Sequence, residues 1–164
     1  MATAAKDLSD YDHSKVPDGS GMKIAIALAE WNWEITSALF SGARETLLKH
    51  GVKDENIITE VCPGAFELPL TAQLLIEKHQ PDAVITIGCV IQGETRHFDF
   101  VCNGVTQGVM DLGLKTGTPV IFCVLTDNTR QQSLDRAGGK HGNKGVESAV
   151  AALQMAEIRR QLKS

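Results

Sequence analysis

Apolar and polar residues follow one another along this chain in blocks of two kinds. Four short blocks rich in alanine and β-branched residues predict buried strands. These strands are predicted over residues 22–30, 56–62, 83–91 and 120–125. Elsewhere apolar residues recur with a helical period. That period predicts helices between residues 32 and 51 and over 68–79, 101–114, 129–137 and about 146–162.

Strand and helix alternate four times, and such alternation predicts a parallel sheet with right-handed crossovers. We therefore predict an α/β fold: a three-layer sandwich whose four-stranded parallel sheet has flavodoxin-like order, with helices on both faces. Residues 1–21 are polar and contain Pro17, so they are predicted to form a mobile N-terminal arm that docks on a neighbouring molecule. Residues 22–164 are predicted to form one domain, a length that suits a single core.

Several local signals mark helix ends and loops. Asn32 is the predicted N-cap of the first helix, and Pro69 fits the first turn of the second. Residues 126–128 are predicted to cap the fourth helix. Residues 138–145 are basic and glycine-rich, and we predict a loop there.

Composition and charge exclude several functions. Hydrophobic residues make up 43% of the chain and charged residues 22%, which is ordinary for a soluble globular protein. The net charge of −4 does not favour binding to nucleic acid or to an anionic membrane. No apolar run is long enough to span a membrane, and the N-terminus lacks the apolar core of a secretory signal. A cytoplasmic location is therefore the expectation.

The cysteines and histidines do not form a metal-binding pattern. The four cysteines show no CxxC spacing, and we predict buried free thiols, with a nucleophilic role for Cys62 as the alternative. The five histidines never form an HExxH pair. No metal site is expected.

The loops that follow the four strands are the candidate functional region, because ligands of open α/β sheets bind beyond the carboxyl ends of the strands. The glycine and hydroxyl of residues 93–95 can hold a phosphate. His97 can transfer protons near neutral pH. Each feature also has a purely structural alternative: Trp31 and Phe66 cover the core, and His97 belongs to an ordinary turn. The two interpretations stay open at this level.

The basic loop near the C-terminus also has two interpretations. Arg136, Lys140 and Lys144 form a positive cluster beside flexible backbone. The loop lacks the G-x-x-x-x-G-K-[ST] spacing of a nucleoside-triphosphate loop. It is either an anion site of another kind or a solvated loop.

Four segments resemble the lumazine synthase family in its own order, and the similarity covers residues 22–160. They are GAFELP (64–69), GETRHFDFVC (93–102), PVIFCVLT (119–126) and DRAGGKHGNKG (135–145). The resemblance implies condensation of 5-amino-6-(D-ribitylamino)uracil with 3,4-dihydroxy-2-butanone 4-phosphate, the penultimate step of riboflavin biosynthesis. It implies no metal or redox cofactor. It also implies a homo-oligomer, from pentamers to shells of up to sixty subunits, with active sites between subunits and riboflavin synthase as a further partner.

The resemblance also assigns roles to single residues. His97 matches the catalytic residue that transfers protons. The substrate-binding set within one chain comprises Trp31, which stacks on the pyrimidine, Asn32, Ala65, Phe66, Glu67, Val90, Ile91, Gly93, Glu94 and Thr95. The adjacent subunit is expected to supply Phe122, Arg136 for the phosphate, and Lys144. Trp31 stands where the family usually has phenylalanine, and Cys123 where it usually has glycine.

Two other functions remain as alternatives: a non-catalytic flavin-binding module of flavodoxin-like fold and a shell-forming protein without activity. The segment WNWEIT after the first strand, in place of a phosphate loop, speaks against the flavin-binding module. Retention of His97, Arg136 and Lys144 speaks against an inactive shell. The size of the assembly also stays open, because residues 142–145 are compatible with large shells while Pro17 opposes strand exchange.

Overall fold

A four-stranded parallel sheet forms the centre of the computed structural model, which describes residues 7–163. Its strands are β1 (Ile24–Ala29), β2 (Ile57–Cys62), β3 (Ala83–Ile91) and β4 (Val120–Asp127). They lie in the order β2-β1-β3-β4 across the sheet. The predicted α/β fold is therefore confirmed.

Helices cover both faces of this sheet. They are α1 (Trp33–Lys49), α2 (Leu68–His79), α3 (His97–Thr116), α4 (Arg130–Arg136) and α5 (Lys144–Lys163). One core cluster joins α1 and α5 to the sheet, and the other joins α2 and α3. Strand β1 is buried at all six positions because it lies inside the sheet with a helical layer on each side.

The two faces of β1 differ in side-chain size. Ile24, Ile26 and Leu28 belong to the cluster with α1 and α5. The alternate positions are all alanine and belong to the cluster with α2 and α3. Side chains alternate between faces along a strand, so this single strand separates the two cores.

Several predicted boundaries are wrong by a few residues. Strand β1 begins at Ile24 and not at residue 22, because the chain first bonds elsewhere: the Met22 N–H donates to the Gly19 carbonyl oxygen at 2.9 Å. Helix α3 begins at His97, four residues before the predicted start. The cap of α4 is Thr129, outside the predicted cluster 126–128, and it forms a capping box with Gln132.

The predicted glycine-rich loop contains regular structure. Strands β5 (Ala137–Gly139) and β6 (Gly142–Asn143) pair antiparallel, and α5 begins at Lys144, two residues earlier than predicted. Gly138 and Gly142 have positive φ angles of 108° and 78°, which favour glycine. The glycines thus allow a tight ribbon where their composition predicted only a loop.

The described part of the N-terminal arm contacts its own chain. The Leu8 N–H donates to the His141 carbonyl oxygen at 2.8 Å, and the Gly19 N–H donates to the His50 carbonyl oxygen at 2.8 Å. The Tyr11 hydroxyl lies 3.1 Å from His50 Nε2. Residues 1–6 of the predicted arm lie outside the described residues. The division into an arm and one domain stays a prediction.

None of the helices between residues 7 and 163 is long and apolar enough to cross a membrane.

Candidate active site

A cavity of about 450 Å³ lies beyond the carboxyl ends of β1, β2 and β3. Strands β2 and β3 lie on opposite sides of β1, so the cavity is at the point where the strand order reverses. Its volume is within the usual range for a small-molecule site. Three loops, the end of β3 and the start of α3 line it with Trp31, Asn32, Gly64, Ala65, Phe66, Glu67, Cys89, Val90, Ile91, Gly93, Thr95, His97, Phe98 and Val101.

The loop after β1 brings Trp31 and Asn32 to the cavity. Asn32 has a φ angle of 62°, and its Nδ2 donates to the Cys89 carbonyl oxygen at 2.9 Å. Asn32 is the N-cap residue of α1, as predicted, but its side chain forms no capping bond, because the amide bonds to β3 instead. The Trp31 N–H donates to the Pro63 carbonyl oxygen at 3.1 Å, and the residue is 71% exposed. An indole at the rim can cover a planar ligand.

The segment after β2 supplies Ala65, Phe66 and Glu67, which form a short 3₁₀ turn before α2. Phe66 is 60% exposed, and its ring lies on Gly104 of α3. A β-carbon built at Gly104 would lie 2.5 Å from Phe66 Cε2, so only glycine permits this contact. Ala65 is buried. The missing side chain at Gly104 therefore sets the position of one cavity wall.

The turn after β3 supplies Gly93, Thr95 and His97, all exposed. His97 is the first residue of α3, and its N–H donates to Thr95 Oγ1 at 3.4 Å. The first-turn N–H groups of a helix have no intrahelical acceptors, and the helix dipole is positive there. The turn can therefore hold an anion beside an imidazole.

Four predicted residues do not line this cavity: Glu94, Phe122, Arg136 and Lys144. Phe122 of β4 lines a different cavity with α3 and α5. Lys144 Nζ pairs with Glu147 Oε1 at 2.8 Å, and its side chain is 18% exposed. One chain therefore holds the aromatic and imidazole groups in one cavity without the basic residues.

Sequence patterns missed four lining residues, namely Gly64, Cys89, Phe98 and Val101. Phe98 and Val101 lie on the first turns of α3 at i+1 and i+4 from His97. Extending the helical period back to His97 could have identified Val101. Cys89 could have been identified from its position near the end of β3, where the strand reaches the cavity.

The thiols are poorly suited to act as nucleophiles. Burial raises the pKa of Cys62 and of Cys89, and it raises the pKa of Cys123 to about 11. A thiol with a raised pKa is mostly protonated at neutral pH, which argues against the nucleophilic alternative for Cys62. Within residues 7–163, no group of three or more histidine, cysteine, aspartate or glutamate side chains could hold a metal ion.

An open parallel sheet with a cavity at its switch point defines a class of α/β proteins that bind small molecules at the sheet edge. The family model described as 6,7-dimethyl-8-ribityllumazine synthase matches residues 21–160. The chain is 55% identical over 160 residues to the 6,7-dimethyl-8-ribityllumazine synthase of Porphyromonas gingivalis, covering 98% of this chain and 99% of the relative.

Two further relatives carry the same name. The one from Flavobacterium psychrophilum is 54% identical over 161 residues, which cover 98% of this chain and 85% of the relative. The one from Parabacteroides distasonis is 56% identical over 155 residues, which cover 94% of this chain and 97% of the relative. This chain belongs to the 6,7-dimethyl-8-ribityllumazine synthase family, and the resemblance found in its sequence motifs is confirmed.

Proposed function

We propose that this chain is a transferase that condenses 5-amino-6-(D-ribitylamino)uracil with 3,4-dihydroxy-2-butanone 4-phosphate. The product is 6,7-dimethyl-8-ribityllumazine, and phosphate and water are released. The observation that carries this proposal is the cavity that joins Trp31 and Phe66 to the His97 turn. Membership of the synthase family supports it further. The non-catalytic alternatives are not favoured.

The proposed roles follow the chemistry of the lining groups. Trp31 stacks on the pyrimidine ring, and the 65–67 segment holds the ribityl chain. Gly93 and Thr95 hold the phosphate at the start of α3. His97 transfers protons during Schiff-base formation and phosphate elimination, a role typically worth about 10²–10⁴-fold in rate. Holding both reactants in one cavity supplies a further large part of the acceleration.

We also propose that the active site is completed by a second copy of the chain in a pentamer or larger assembly of up to sixty subunits. The position of Arg136 and Lys144 outside the cavity of their own chain supports this proposal. Large apolar side chains on α2 and α3 stay exposed in one chain, which supports burial between copies. They are Leu70, Leu74, Phe100, Met110 and Leu114. Mass photometry of the purified protein would measure the assembly directly.

A cytoplasmic location and riboflavin synthase as a further partner are part of the same proposal. Support for the location comes from the thiols: Cys62, Cys89, Cys102 and Cys123 are all free. Free thiols are typical of a reducing compartment.

The experiment that tests the function is a condensation assay with both substrates. We expect a product with the fluorescence of a ribityllumazine, dependent on each substrate, with stoichiometric release of inorganic phosphate. Omission of either substrate is the control. Flavin binding without product would favour the flavin-binding module. Assembly into shells with neither product nor flavin binding would favour the inactive shell.

A further inference from the structure

A chain of polar contacts runs from the floor of the cavity to Arg136. Cys89, which lines the cavity, donates from Sγ to Ser133 Oγ at 3.4 Å. Ser133 donates from Oγ to Asp127 Oδ2 at 2.8 Å. The other carboxylate oxygen, Asp127 Oδ1, lies 4.0 Å from Arg136 Nε. Asp127 thus contacts Ser133 with one oxygen and faces Arg136 with the other.

Burial makes this arrangement more rigid than a surface ion pair. Ser133 is fully buried, and the Asp127 side chain is 12% exposed. Arg136 is more open, with 36% of its side chain exposed, and its Nη1 donates to the Gln132 carbonyl oxygen at 3.1 Å. An exposed ion pair contributes little because both side chains move freely. Here the hydrogen bond from Ser133 holds the Asp127 carboxylate in place independently of Arg136.

The contacts leave part of the guanidinium available for a ligand. An arginine has five N–H donors in a planar fork, and the fork matches two oxygens of a phosphate. Asp127 faces the Nε position and the Gln132 carbonyl accepts from Nη1, so among residues 7–163 no contact involves Nη2, which is open to an anion. Nε and Asp127 Oδ1 lie 4.0 Å apart, beyond hydrogen-bond distance, so the carboxylate favours one direction of the fork by charge attraction.

We propose that Asp127 is a positioning residue for the reaction. It orients Arg136 toward the phosphate of the four-carbon substrate, and Ser133 holds Asp127 in place. The inference rests on the proposed function, in which Arg136 grips that phosphate from an adjacent subunit. Neither Asp127 nor Ser133 belongs to the set of site residues expected from the sequence.

The Asp127 carboxylate can also weaken phosphate binding, and the test must separate this effect from the positioning effect. The negative charge of Asp127 also offsets the positive charge of Arg136 and opposes a phosphate nearby. Replacement by asparagine removes the charge and keeps the shape and an oxygen acceptor for Ser133. A positioning role predicts weaker phosphate binding in Asp127→Asn. A role limited to charge neutralisation predicts tighter binding.

The experiment compares three variants of the assembled enzyme. Asp127→Asn is expected to raise the KM for the butanone phosphate by about 3- to 10-fold, the scale expected when one arginine side chain is no longer pre-ordered. The KM for the pyrimidine should not change. Ser133→Ala should act in the same direction by a smaller factor, since the carboxylate stays but loses its anchor. Binding of inorganic phosphate, measured by calorimetry, should weaken by the same factors.

Asp135→Asn is the matched control. Asp135 precedes Arg136 on α4, but its Oδ2 pairs with Lys140 Nζ at 3.1 Å and its Oδ1 accepts from Gln131 at 2.9 Å. Its replacement removes a carboxylate from the same helix without touching the contact between Asp127 and Arg136. Both KM values should stay at those of the unsubstituted enzyme.

Four results would overturn the positioning role: tighter phosphate binding in Asp127→Asn, unchanged phosphate binding in that variant, equal changes in both KM values, or the same change in Asp135→Asn. If Asp127→Asn does not assemble, Ser133→Ala decides the question alone. The calorimetric readout separates this inference from the proposed function. Absence of product from the unsubstituted enzyme refutes the function, whereas unchanged phosphate binding in the variants refutes the role of Asp127.

Discussion

Replacement of Gly104 by alanine tests how the wall of the cavity is held. Gly104 lies inside α3, and the ring of Phe66 rests on it. A β-carbon at this position would lie 2.5 Å from Cε2 and 3.2 Å from Cδ2 of that ring. Carbon atoms in contact need about 3.5–4.0 Å, so the ring must move by about 1 Å.

The movement should affect substrate binding more than stability. Phe66 is 60% exposed, so its ring can move without opening the core. Alanine is a better helix residue than glycine by about 0.5–1 kcal/mol, which offsets the cost of moving the ring. A displacement of about 1 Å at an active site can cost as much as 10²-fold when it affects the reacting groups. Because Phe66 belongs to the segment proposed to hold the ribityl chain, we expect the KM for the pyrimidine to rise by about 3- to 10-fold.

Gly113→Ala is the matched control in the same helix, because the nearest atom to its β-carbon would be 3.6 Å away. Steady-state kinetics with each substrate varied in turn, together with urea unfolding, give the needed quantities. Gly104→Ala should raise the KM for the pyrimidine, and Gly113→Ala should not. The double variant Gly104→Ala with Phe66→Ala should be little worse than Phe66→Ala alone. Equal KM values in both glycine variants would refute this account of the wall.

The remaining predictions concern proton transfer, phosphate binding and stability. His97→Ala should lower kcat by about 10²–10⁴-fold without abolishing turnover, and complete loss with intact substrate binding would contradict this expectation. Arg136→Ala should raise the KM for the butanone phosphate far more than that for the pyrimidine, and equal changes would argue against phosphate binding. In urea unfolding, Asn32→Gly should lower the free energy of unfolding by about 1 kcal/mol, because only the hydrogen bond to β3 is lost. Asn32→Ala should lower it by about 1–2 kcal/mol more, because alanine disfavours the positive φ angle at position 32. Burial lowers the pKa of His50 below its ordinary 6.5, so the unfolded state takes up the proton first and stability should fall as pH decreases below 6.5. His50→Gln should remove that part of the pH dependence and His79→Gln should not, as urea midpoints above and below pH 6.5 would show.

Local patterns were sufficient to predict the four strands and the parallel sheet. A strand that is buried on both faces consists mainly of apolar residues, as in the AVITIGCVI run that forms β3. The edge that carries the cavity then follows from topology, because parallel strands all end on the same side. That is why Trp31, Phe66 and His97 were expected to lie together, and they do line one cavity.

The contacts that fix the site join residues that are distant in sequence, so local sequence patterns could not predict them. In the sequence Asn32 has the features of an ordinary helix cap. The structure shows that its side-chain amide donates to the carbonyl oxygen of Cys89, which is distant along the chain. Gly104 is an unremarkable helix glycine until Phe66 lies on it. The pair of Asp127 and Arg136 needs the turn between β4 and α4. Composition alone suggested a loop where two short strands form, because glycine has no side-chain period to read.

In the proposed assembly, two copies of the chain share each active site, one supplying His97 and the other Arg136. Co-assembly of His97→Ala subunits with Arg136→Ala subunits tests this sharing. In a head-to-tail ring assembled at random from equal amounts, about a quarter of the sites combine an intact His97 with an intact Arg136. The mixed assemblies should exceed the mean activity of the two separately assembled variants and approach a quarter of full activity. Mixed assemblies that stay at that mean would contradict it.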